Sequence, residues 1–395
     1  MPNAVRGGVL ARGIGPIIRN DWQIERSSEL FELKYGKALV ESTRAPGEVP
    51  VFGTNGQTGT HNSALFKGPG VIIGRKGAGH LGVHWSDRDY WVIDTAYSLV
   101  PSERMDLKYS YYLIGYVGLD HLKHGTSNPS LTRDAFGAQY FPVPPLPEQR
   151  AIATTLGALD EKIESNRRAA ATLVALISAL FEQVISSHEV VYAPLGELTR
   201  VVNGRSYKSS ELQESSTALV TLKSVDRKGG YKESGLKPYT GPHMPEQEVR
   251  PGEIVVAQTD LTQGAEVVGR GVRVPRSGKY DTLVASLDLA IVRPVAGMPV
   301  EYLYGLLSSE AFRQHCRAHV TGTTVLHLAK DAMPTWSAPI VPRDEQERFA
   351  ESVRPMFART DALAEESARL LALRDALLPE MLSGRVRVSA EGVIT

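Results

Sequence analysis

The sequence predicts an α+β fold made of two similar halves. Three observations indicate this: a duplicated motif, two long tracts with heptad-spaced apolar residues, and short β-type runs before each tract. A length of 395 residues is enough for two or three domains. With 42% apolar and 22% charged residues, the composition is that of an ordinary folded protein.

The duplicated motif is the most direct evidence that the chain consists of two similar halves. The segment Gly125-Thr-Ser-Asn-Pro-Ser-Leu131 reappears as Gly322-Thr-Thr-Val-Leu-His-Leu328, an offset of 197 from residue 125 to residue 322. The same offset relates Glu148-Gln149 to Glu345-Gln346. Because one offset holds over more than twenty positions, we interpret the chain as two copies of one design.

The regions before the long tracts are predicted to be mixed. Short apolar runs rich in β-branched residues alternate with Gly-containing turns, and two stretches have helical character. The predicted strands are 48–52, 71–74, 90–100, 219–222, 253–257 and 283–294, and the predicted short helices are 108–118 and 300–317.

The first long tract predicts a helix from Pro147 to Ser186. A proline is favoured in the first turn of a helix, and ~40 residues at ~1.5 Å each make a rod of about 60 Å. The spacing of its seam alternates four and three, as in a coiled coil. Asn166 within this seam either fixes the register or marks an exposed point. The seam comprises Ile152, Leu156, Leu159, Ile163, Asn166, Ala170, Leu173, Ile177, Leu180 and Val184.

The second tract repeats the pattern less regularly. We expect Pro355 to kink or restart this helix and Pro379 to disturb its end. Two seams in one chain most simply pack on each other, in either a parallel or an antiparallel arrangement. The second seam comprises Phe349, Val353, Met356, Thr360, Leu363, Ser367, Leu370, Leu377 and Met381.

Charge and cysteine content narrow the class of protein. The 44 basic and 44 acidic residues balance, which argues against a polybasic protein but not against a nucleic-acid binder with clustered positive groups. The single cysteine, Cys316, excludes a disulfide framework, so we expect a cytoplasmic location. The apolar stretch from Ala169 to Phe181 is too short for a membrane span. We expect no signal peptide and a loosely held extension over residues 1–20.

Two motifs could carry chemistry, and neither is convincing. The G-x-G-x-x-G pattern from Gly77 to Gly82 is followed by β-like sequence rather than a helix, which favours a turn over a dinucleotide site. His121 and His124 have no further ligand nearby, which favours a surface role over a metal site. We therefore predict no catalytic, cofactor-binding or metal-binding residues on this chain.

Polar and basic residues on Gly-flanked loops are the candidate site. Arg, Lys, Asn and Gln are the side chains that pair with base edges and phosphates, and here they recur in both halves. Each one alone is more often a solvated loop residue. The candidate DNA-binding residues are Asn55, Gln57, Arg75, Lys76, Thr126, Asn128 and Arg133 in the first half, and Arg205, Tyr207, Lys208, Gln258, Thr259, Thr323, His327 and Lys330 in the second.

Several motifs together resemble the specificity subunit of type I restriction-modification systems. The resemblance extends from about Trp22 to Val388 and includes the order and duplication of the parts. The motifs are Phe141-Pro-Val-Pro-Pro-Leu-Pro-Glu-Gln-Arg150, Leu156-Gly-Ala-Leu-Asp-Glu-Lys-Ile163, Pro339-Ile-Val-Pro-Arg-Asp-Glu-Gln-Glu-Arg348, Leu373-Arg-Asp-Ala-Leu-Leu-Pro-Glu-Met-Leu-Ser-Gly-Arg385, Val49-Pro-Val-Phe-Gly-Thr-Asn-Gly56 and Gly125-Thr-Ser-Asn-Pro-Ser-Leu131.

The resemblance implies two target recognition domains, each reading half of a split site in double-stranded DNA. It also implies an antiparallel coiled coil that sets the gap between half-sites and docks two methyltransferase subunits, which hold S-adenosylmethionine. A restriction subunit can join the assembly. The alternative is a coiled-coil scaffold that does not read sequence. The implied divisions are an extension (1–20), recognition domains (21–144 and 190–338), helical spacers (145–189 and 339–388) and a tail (389–395).

Overall fold

The computed structural model describes residues 22–227, 229–262, 264–295 and 297–388. They divide into two compact units: unit 1, with residues 22–162 and 369–388, and unit 2, with the described residues of 163–368. The predicted extension (1–20) and tail (389–395) lie outside the described residues. The other predicted divisions remain predictions.

Unit 1 contains short strands and short helices, followed by the start of a long helix. The strands are β1 (Gln23–Arg26), β2 (Phe31–Tyr35), β3 (Val49–Gly53), β4 (Gly56–His61), β5 (Gly70–Gly74), β6 (Val83–Ser86), β7 (Trp91–Val92), β8 (Ala96–Pro101), β9 (Lys123–His124), β10 (Ser130–Leu131) and β11 (Tyr140–Val143). The helices are α1 (Ser27–Leu30), α2 (Leu107–Val117), α3 (Arg133–Gly137) and the long α4 (Leu146–Ser187), with short 3-10 turns at Glu41–Thr43 and Asp120–Leu122.

Unit 2 has the same kinds of element in a similar order. Its strands are β12 (Val191–Pro194), β13 (Thr199–Asn203), β14 (Thr217–Val220), β15 (Lys237–Pro238), β16 (Ile254–Ala257), β17 (Thr259–Asp260), β18 (Gly271–Arg273), β19 (Thr282–Ala285), β20 (Leu289–Pro294), β21 (Val320–Thr321), β22 (Leu326–Leu328) and β23 (Ser337–Ile340). The helices are α5 (Leu195–Leu198), α6 (Val300–Ser308), α7 (Glu310–Ala318), α8 (Ala332–Thr335) and the long α9 (Arg343–Leu382), with 3-10 turns at Ser209–Glu211, Leu222–Ser224, Glu233–Gly235 and Pro245–Gln247.

The strand order repeats between the two units. A four-stranded antiparallel sheet has the order β2-β8-β5-β6 in unit 1 and β13-β20-β16-β18 in unit 2. A three-stranded sheet has the order β4-β3-β7 in unit 1 and β15-β14-β19 in unit 2, each with one antiparallel and one parallel pair. The predicted duplication and the predicted α+β class are therefore confirmed.

One inner strand of each four-stranded sheet is apolar on both faces, because both faces are covered. In β5, Val71 and Ile73 lie in one buried cluster, whereas Ile72 lies in another. In β16, Ile254 and Val255 likewise belong to two different clusters. Successive strand residues point to opposite faces, so a strand between two layers needs apolar residues in a continuous run.

Three predicted elements are each divided in two. The stretch 90–100 forms β7 and β8, and 283–294 forms β19 and β20. The helix predicted over 300–317 is two helices, α6 and α7. Ser309 has extended backbone angles, and its hydroxyl accepts the N–H of Phe312, so it ends one helix and caps the next.

The long helices pack in antiparallel fashion within each unit. In unit 1, Arg374 on α9 donates a hydrogen bond to Asp160 on α4 over 2.8 Å. In unit 2, the buried Asn166 donates to Glu366 over 3.0 Å, and the rings of Phe181 and Phe349 lie 5.7 Å apart. As the residue number on α4 rises from 160 to 181, the residue number of the partner on α9 falls from 374 to 349. The two helices are therefore antiparallel and not parallel. All predicted seam positions are buried or half-buried.

The expected restart at Pro355 is wrong, because α9 is continuous from Arg343 to Leu382. Pro355 and Glu351 are both exposed. The Glu351 carbonyl, which loses its N–H partner at the proline, therefore lies on the solvent side of the helix, where water can replace the missing donor. Pro379 does lie in the last turn of α9, where its carbonyl accepts a hydrogen bond from the N–H of Ser383.

The repeated Glu-Gln pair has a structural role at the start of each long helix. Gln149 is fully buried, and its side-chain amide donates to the carbonyls of Pro144 (2.8 Å) and Arg104 (2.9 Å). Its Oε1 accepts the N–H of Asp106 over 2.8 Å. Gln346 makes the equivalent bond to a carbonyl five residues earlier, over 2.9 Å. Each glutamine thus satisfies buried backbone groups where a sheet strand leads into a long helix.

We predict that Gln149→Leu lowers the free energy of unfolding by about 1–3 kcal/mol, because it leaves buried backbone groups without partners. Urea denaturation of the full chain measures this. The matched control is Gln183→Leu, at an exposed position of the same helix, which should change stability little. An equal effect of both substitutions would contradict the assigned role.

Candidate nucleic-acid interface

In unit 1, several candidate residues meet where β5 ends. Arg75 and Lys76 follow this strand directly, and the N–H of Arg75 donates to the carbonyl of Thr95 over 2.8 Å. The N–H of Leu131 in turn donates to the carbonyl of Arg75, also over 2.8 Å. Backbone hydrogen bonds therefore hold the loop 125–131, which carries the exposed Thr126 and Asn128, beside the end of the strand.

Two guanidinium groups share one exposed aromatic ring. Arg75 Cζ lies 4.8 Å from the ring centroid of Tyr35, and Arg133 Cζ lies 4.1 Å from the same centroid. The Tyr35 side chain is 48% exposed. Arg75 also donates to the carbonyl of Asp94 over 3.0 Å. Its guanidinium is therefore held in a fixed orientation by the ring and the carbonyl.

A neutral tyrosine hydroxyl helps to hold the loop. Burial raises the pKa of Tyr97 to about 12, and a hydrogen bond with Tyr35 adds to this rise. Tyr97 therefore stays protonated at neutral pH, and its hydroxyl donates to the carbonyl of Leu131 over 3.1 Å. The ring of Tyr97 lies 5.1 Å from that of Tyr35, so one aromatic pair supports both the loop and Arg75.

A threonine places the β3–β4 turn at the same surface. The Thr54 hydroxyl lies 2.7 Å from the carbonyl oxygens of both Lys76 and Thr95. Asn55 follows at the exposed tip of the turn, before Gly56 with a φ of 111°. We call Tyr35, Asn55, Arg75, Lys76 and Arg133 the first polar surface. Gln57 is exposed on β4, and its amide donates to the Gly59 carbonyl rather than to a residue of this group.

Unit 2 repeats the backbone arrangement with other side chains. The N–H of Gln258, directly after β16, donates to the carbonyl of Asp288 over 2.8 Å. The N–H of Leu328 donates to the carbonyl of Gln258, also over 2.8 Å. Gln258 therefore occupies the position that Arg75 has in unit 1. Its side-chain amide donates to Asn203 Oδ1 over 3.0 Å.

The neighbouring candidates complete a second surface. His327 on β22 is exposed and pairs in register with Thr259 on β17. Thr259 is itself buried, and its hydroxyl donates to Asp288 over 2.9 Å, which gives it a supporting position. Arg205 is joined by a β-bridge to Ser286. We call Asn203, Arg205, Gln258, Thr259 and His327 the second polar surface.

The remaining candidates of unit 2 lie outside this group. Tyr207 packs against a small apolar cluster, and its hydroxyl accepts a hydrogen bond from Lys237 over 3.4 Å. Lys208 is exposed just before the 3-10 turn at Ser209–Glu211. Thr323 and Lys330 are exposed on either side of β22.

The sequence reasoning missed Tyr35 and Asn203. Each directly precedes a glycine, and that signal could have identified both positions. A Cβ on Gly36 would lie 2.2 Å from the carbonyl oxygen of Ile93, and one on Gly204 would lie 2.1 Å from that of Ser286. Both glycines are thus required by close approach of the backbone.

A cluster of arginines in unit 2 was also missed. Arg270 and Arg313 donate to the carbonyl of Glu266 over 2.7 and 3.1 Å, and Arg317 donates to that of Ala265 over 3.1 Å. Burial, together with repulsion from the neighbouring arginines, lowers the pKa of Arg270 and Arg313. Glu310 pairs with Arg313 and Arg317 over 3.7 and 3.8 Å and balances part of this charge. The remaining positive charge suits contact with phosphates, which position nucleic acid without reading its sequence.

Comparison with known proteins supports the sequence resemblance. Residues 19–173 match the family described as "Type I restriction modification DNA specificity domain". The match covers 155 of the 395 residues, so this part of the chain is similar to that family. The matched part contains the first polar surface and ends within α4. No curated protein matches the sequence.

Solved structures extend the likeness of the fold to most of the chain. The crystal structure of the type I restriction-modification system S subunit from M. genitalium is 17% identical, with a TM-score of 0.57, over 92% of this chain and 97% of that chain. Also similar are the HsdS subunit from Thermoanaerobacter tengcongensis (16% identity, TM-score 0.31, 93% and 97% covered) and a chain from a structure titled for the assembly and conformational transition of the type I R-M system (17%, 0.35, 92% and 98%). The first of these, with a TM-score above 0.5, confirms the fold predicted for both halves of the chain.

The two motifs that could carry chemistry are the glycine-rich loop and the histidine pair, and the structure places both. The loop from Gly77 to Gly82 leads into strand β6 and not into a helix, as predicted. His121 and His124 are both exposed. Within the described ranges, no group of three or more His, Cys, Asp or Glu side chains could hold a metal ion.

In the part of the chain that the structure describes, α4 alone is long and apolar enough to cross a membrane. This criterion uses only length and composition. A helix whose apolar seam faces a second helix meets it equally well. Ile177 and Phe181 of α4 lie in the buried core of unit 2, so the finding is weak evidence for a span.

The loop beside the arginine cluster depends on one buried carboxylate, that of Asp260. Burial alone would raise the pKa of Asp260, but hydrogen bonds from Val267, Thr262 and Val268 outweigh this and lower it. A lowered pKa means that the ionised carboxylate stabilises the fold above its ordinary pKa. This contribution is lost as the pH falls through the lowered value.

We predict that Asp260→Asn lowers the free energy of unfolding by about 1–3 kcal/mol at pH 7, because the amide replaces a charged acceptor. The difference from the unchanged chain should shrink as the pH falls below about 4. Denaturant titrations at several pH values measure this. Asp281→Asn, at an exposed position of the same unit, is the control. A difference that stays constant with pH would contradict the role of the ionised carboxylate.

Proposed function

We propose that the chain is the DNA-recognition subunit of a type I restriction-modification complex. Each polar surface reads one half of a bipartite site in double-stranded DNA, and the chain itself is not a catalyst. The observation that carries this proposal is the repeated backbone arrangement with different side chains upon it. Arg75 and Gln258 take the same two backbone hydrogen bonds, yet one is a cation and the other an amide.

The chemistry of the two residues suits different bases. Arginine forms two hydrogen bonds with O6 and N7 of guanine, and glutamine forms two with N6 and N7 of adenine. Two recognition surfaces that share a frame but differ at such a position would prefer different half-sites. Such a difference would make the split site asymmetric.

We further propose that α4 and α9 set the gap between the half-sites. At ~1.5 Å per residue, the 42 residues of α4 extend about 60 Å. Half-sites read from one face of DNA lie about one helical turn, ~34 Å, or a multiple of it apart. A helix of this length is sufficient for such a separation.

The same helices offer a place for partner subunits. Leu176 on α4 is 44% exposed, and Leu371 and Leu373 on α9 are 38% and 47% exposed. Exposed apolar side chains on a helix pair suit contact with other proteins. We propose that two methyltransferase subunits, which hold S-adenosylmethionine, dock on the helices in the cytoplasm, and that restriction subunits can join them. In this proposal the chain holds no cofactor and has no membrane partner.

Methylome sequencing of the host with and without this chain tests recognition. We expect a bipartite methylated motif that depends on the chain. Arg75→Ala with Lys76→Ala should relax base preference in one half of the motif only, and Gln258→Ala with His327→Ala should relax it in the other half. Each lost bidentate base contact is worth about 1–3 kcal/mol, or about 5- to 150-fold in preference.

The controls for this experiment are Arg88→Ala in unit 1 and Arg276→Ala in unit 2, both at exposed positions outside the polar surfaces. They should leave both halves of the motif intact. A motif that does not depend on the chain would favour a scaffold that does not read sequence. Loss of preference in both halves from one double substitution would contradict the assignment of one unit to one half-site.

Insertion of seven residues into each long helix tests the spacing. One heptad after Asn166 and one before Glu366 add about 10 Å to each helix and keep both seams in phase. We expect the two half-sequences of the methylated motif to persist while the gap between them changes or methylation is lost. An unchanged gap would show that the helices do not set it. Replacing one existing heptad by another of equal pattern is the control.

A further inference from the structure

We infer that Tyr35 and Asn203 occupy one equivalent specificity-determining position in the two units. Each acts as a positioning residue for the side chain that reads a base: Tyr35 for Arg75, and Asn203 for Gln258. This inference rests on the proposed function. It assigns a guanine-reading pair to the first polar surface and an adenine-reading pair to the second.

The backbone establishes that the two positions are equivalent. Tyr35 and Asn203 are the last residues of β2 and β13, which occupy the same place in the two four-stranded sheets. The next residue in each case, Gly36 or Gly204, donates its N–H to the carbonyl of the first residue of the paired strand, Ala96 (3.4 Å) or Leu289 (2.9 Å).

The following residues continue the correspondence. The N–H of Lys37 donates to the carbonyl of Val92 at the end of β7 over 2.9 Å. The N–H of Arg205 donates to the carbonyl of Ala285 at the end of β19 over 2.7 Å. Since β7 and β19 hold the same place in the three-stranded sheets, the chain takes one path at both sites.

The sequence alone does not reveal this equivalence, because the difference in residue number between corresponding positions of the two halves is not constant. From Tyr35 to Asn203 the offset is 168, from Arg75 to Gln258 it is 183, and from Leu131 to Leu328 it is 197. The second half has therefore gained residues between these points. Only the hydrogen-bonded frame shows that the three positions correspond.

At each equivalent position, the two side chains contact each other in a different way. In unit 1 the contact is a cation over an aromatic face, with Arg75 Cζ 4.8 Å from the Tyr35 centroid. In unit 2 it is an amide pair, with Gln258 Nε2 3.0 Å from Asn203 Oδ1. The partner has thus changed together with the residue that it supports.

Each kind of contact orients its reading group. A ring under a guanidinium fixes the plane of its donors and reduces the rotamer entropy lost on binding. In unit 2, the Asn203 oxygen takes one N–H of the Gln258 amide. This fixes the orientation of that amide and leaves its oxygen and its second N–H for the two-bond pattern of adenine.

The decisive variants separate positioning from general support. Tyr35→Phe keeps the ring and should keep the base preference, whereas Tyr35→Leu should lower it about 5- to 150-fold at one base pair of one half-site. Asn203→Asp keeps the accepting oxygen and should keep the preference of the other half-site, whereas Asn203→Leu should lower it. The readout is the methylated motif in cells that carry each full-length variant with the host methyltransferase.

The exchange of pairs is the stronger test. Tyr35→Asn with Arg75→Gln gives unit 1 the pair of unit 2, and Asn203→Tyr with Gln258→Arg does the reverse. We expect the first exchange to replace a guanine preference by an adenine preference at one position, and the second to do the opposite. The half-site that was not altered serves as the internal control for folding.

The outcomes separate this inference from the proposed function. If the unchanged chain directs no bipartite motif, the proposed function fails and the inference fails with it. If it directs such a motif but Tyr35→Leu and the exchanges alter methylation evenly at all bases, the inference alone is overturned. Retained preference in Tyr35→Phe together with lost preference in Tyr35→Leu supports the positioning role.

Discussion

The packing of two apolar seams is the constraint on which the rest of the structure depends. An apolar seam of some forty residues is unfavourable in water. In both units, the seams of α4 and α9 pack against each other and are buried. Burial of such residues contributes about 25 cal/mol per Å² of apolar surface. The buried Asn166, paired with Glu366, interrupts this apolar contact at one point. A polar pair in a seam costs some stability, but it disfavours other registers that would leave it without a partner.

The two polar surfaces show a division between frame and side chains. The frame consists of main-chain hydrogen bonds, such as those from Leu131 to Arg75 and from Leu328 to Gln258, both of 2.8 Å. Main-chain bonds do not depend on which side chain is present, so this frame can persist while the side chains that face outward change. Glycines are fixed where the frame leaves no room for a Cβ, as at Gly36 and Gly204.

The sequence predicted what depends on local pattern and missed what depends on distant contacts. Heptad spacing placed Ile152 and Ile177 in the seam correctly, because a helical face is set by residues three or four apart. The continuity of α9 through Pro355 depends on which side of the helix faces solvent, which the tract itself did not reveal. The contact of Tyr35 with Arg75 joins the last residue of β2 to the residue after β5, and no periodicity links them. Eight of the fifteen candidates at the Gly-flanked loops belong to the two surfaces, whereas others, such as Tyr207 and Lys208, do not, since a polar residue type alone does not specify a location.

Unit 1 consists of two separate parts of the chain, and this determines when its core can form during synthesis. Its core joins Trp22 and Phe31 to Met381 and Leu382. The ribosome synthesises all of residues 163–368 before it reaches the last two of these residues. Unit 2 is continuous in sequence and can complete its core once residue 368 is made, whereas the core of unit 1 stays open until Met381 and Leu382 are made. A product that stops before Met381 therefore exposes an apolar face in its first half, and exposed faces of this kind lead to aggregation and to removal by proteases. A complete core in unit 1 therefore requires that the segment with Met381 and Leu382 has been synthesised.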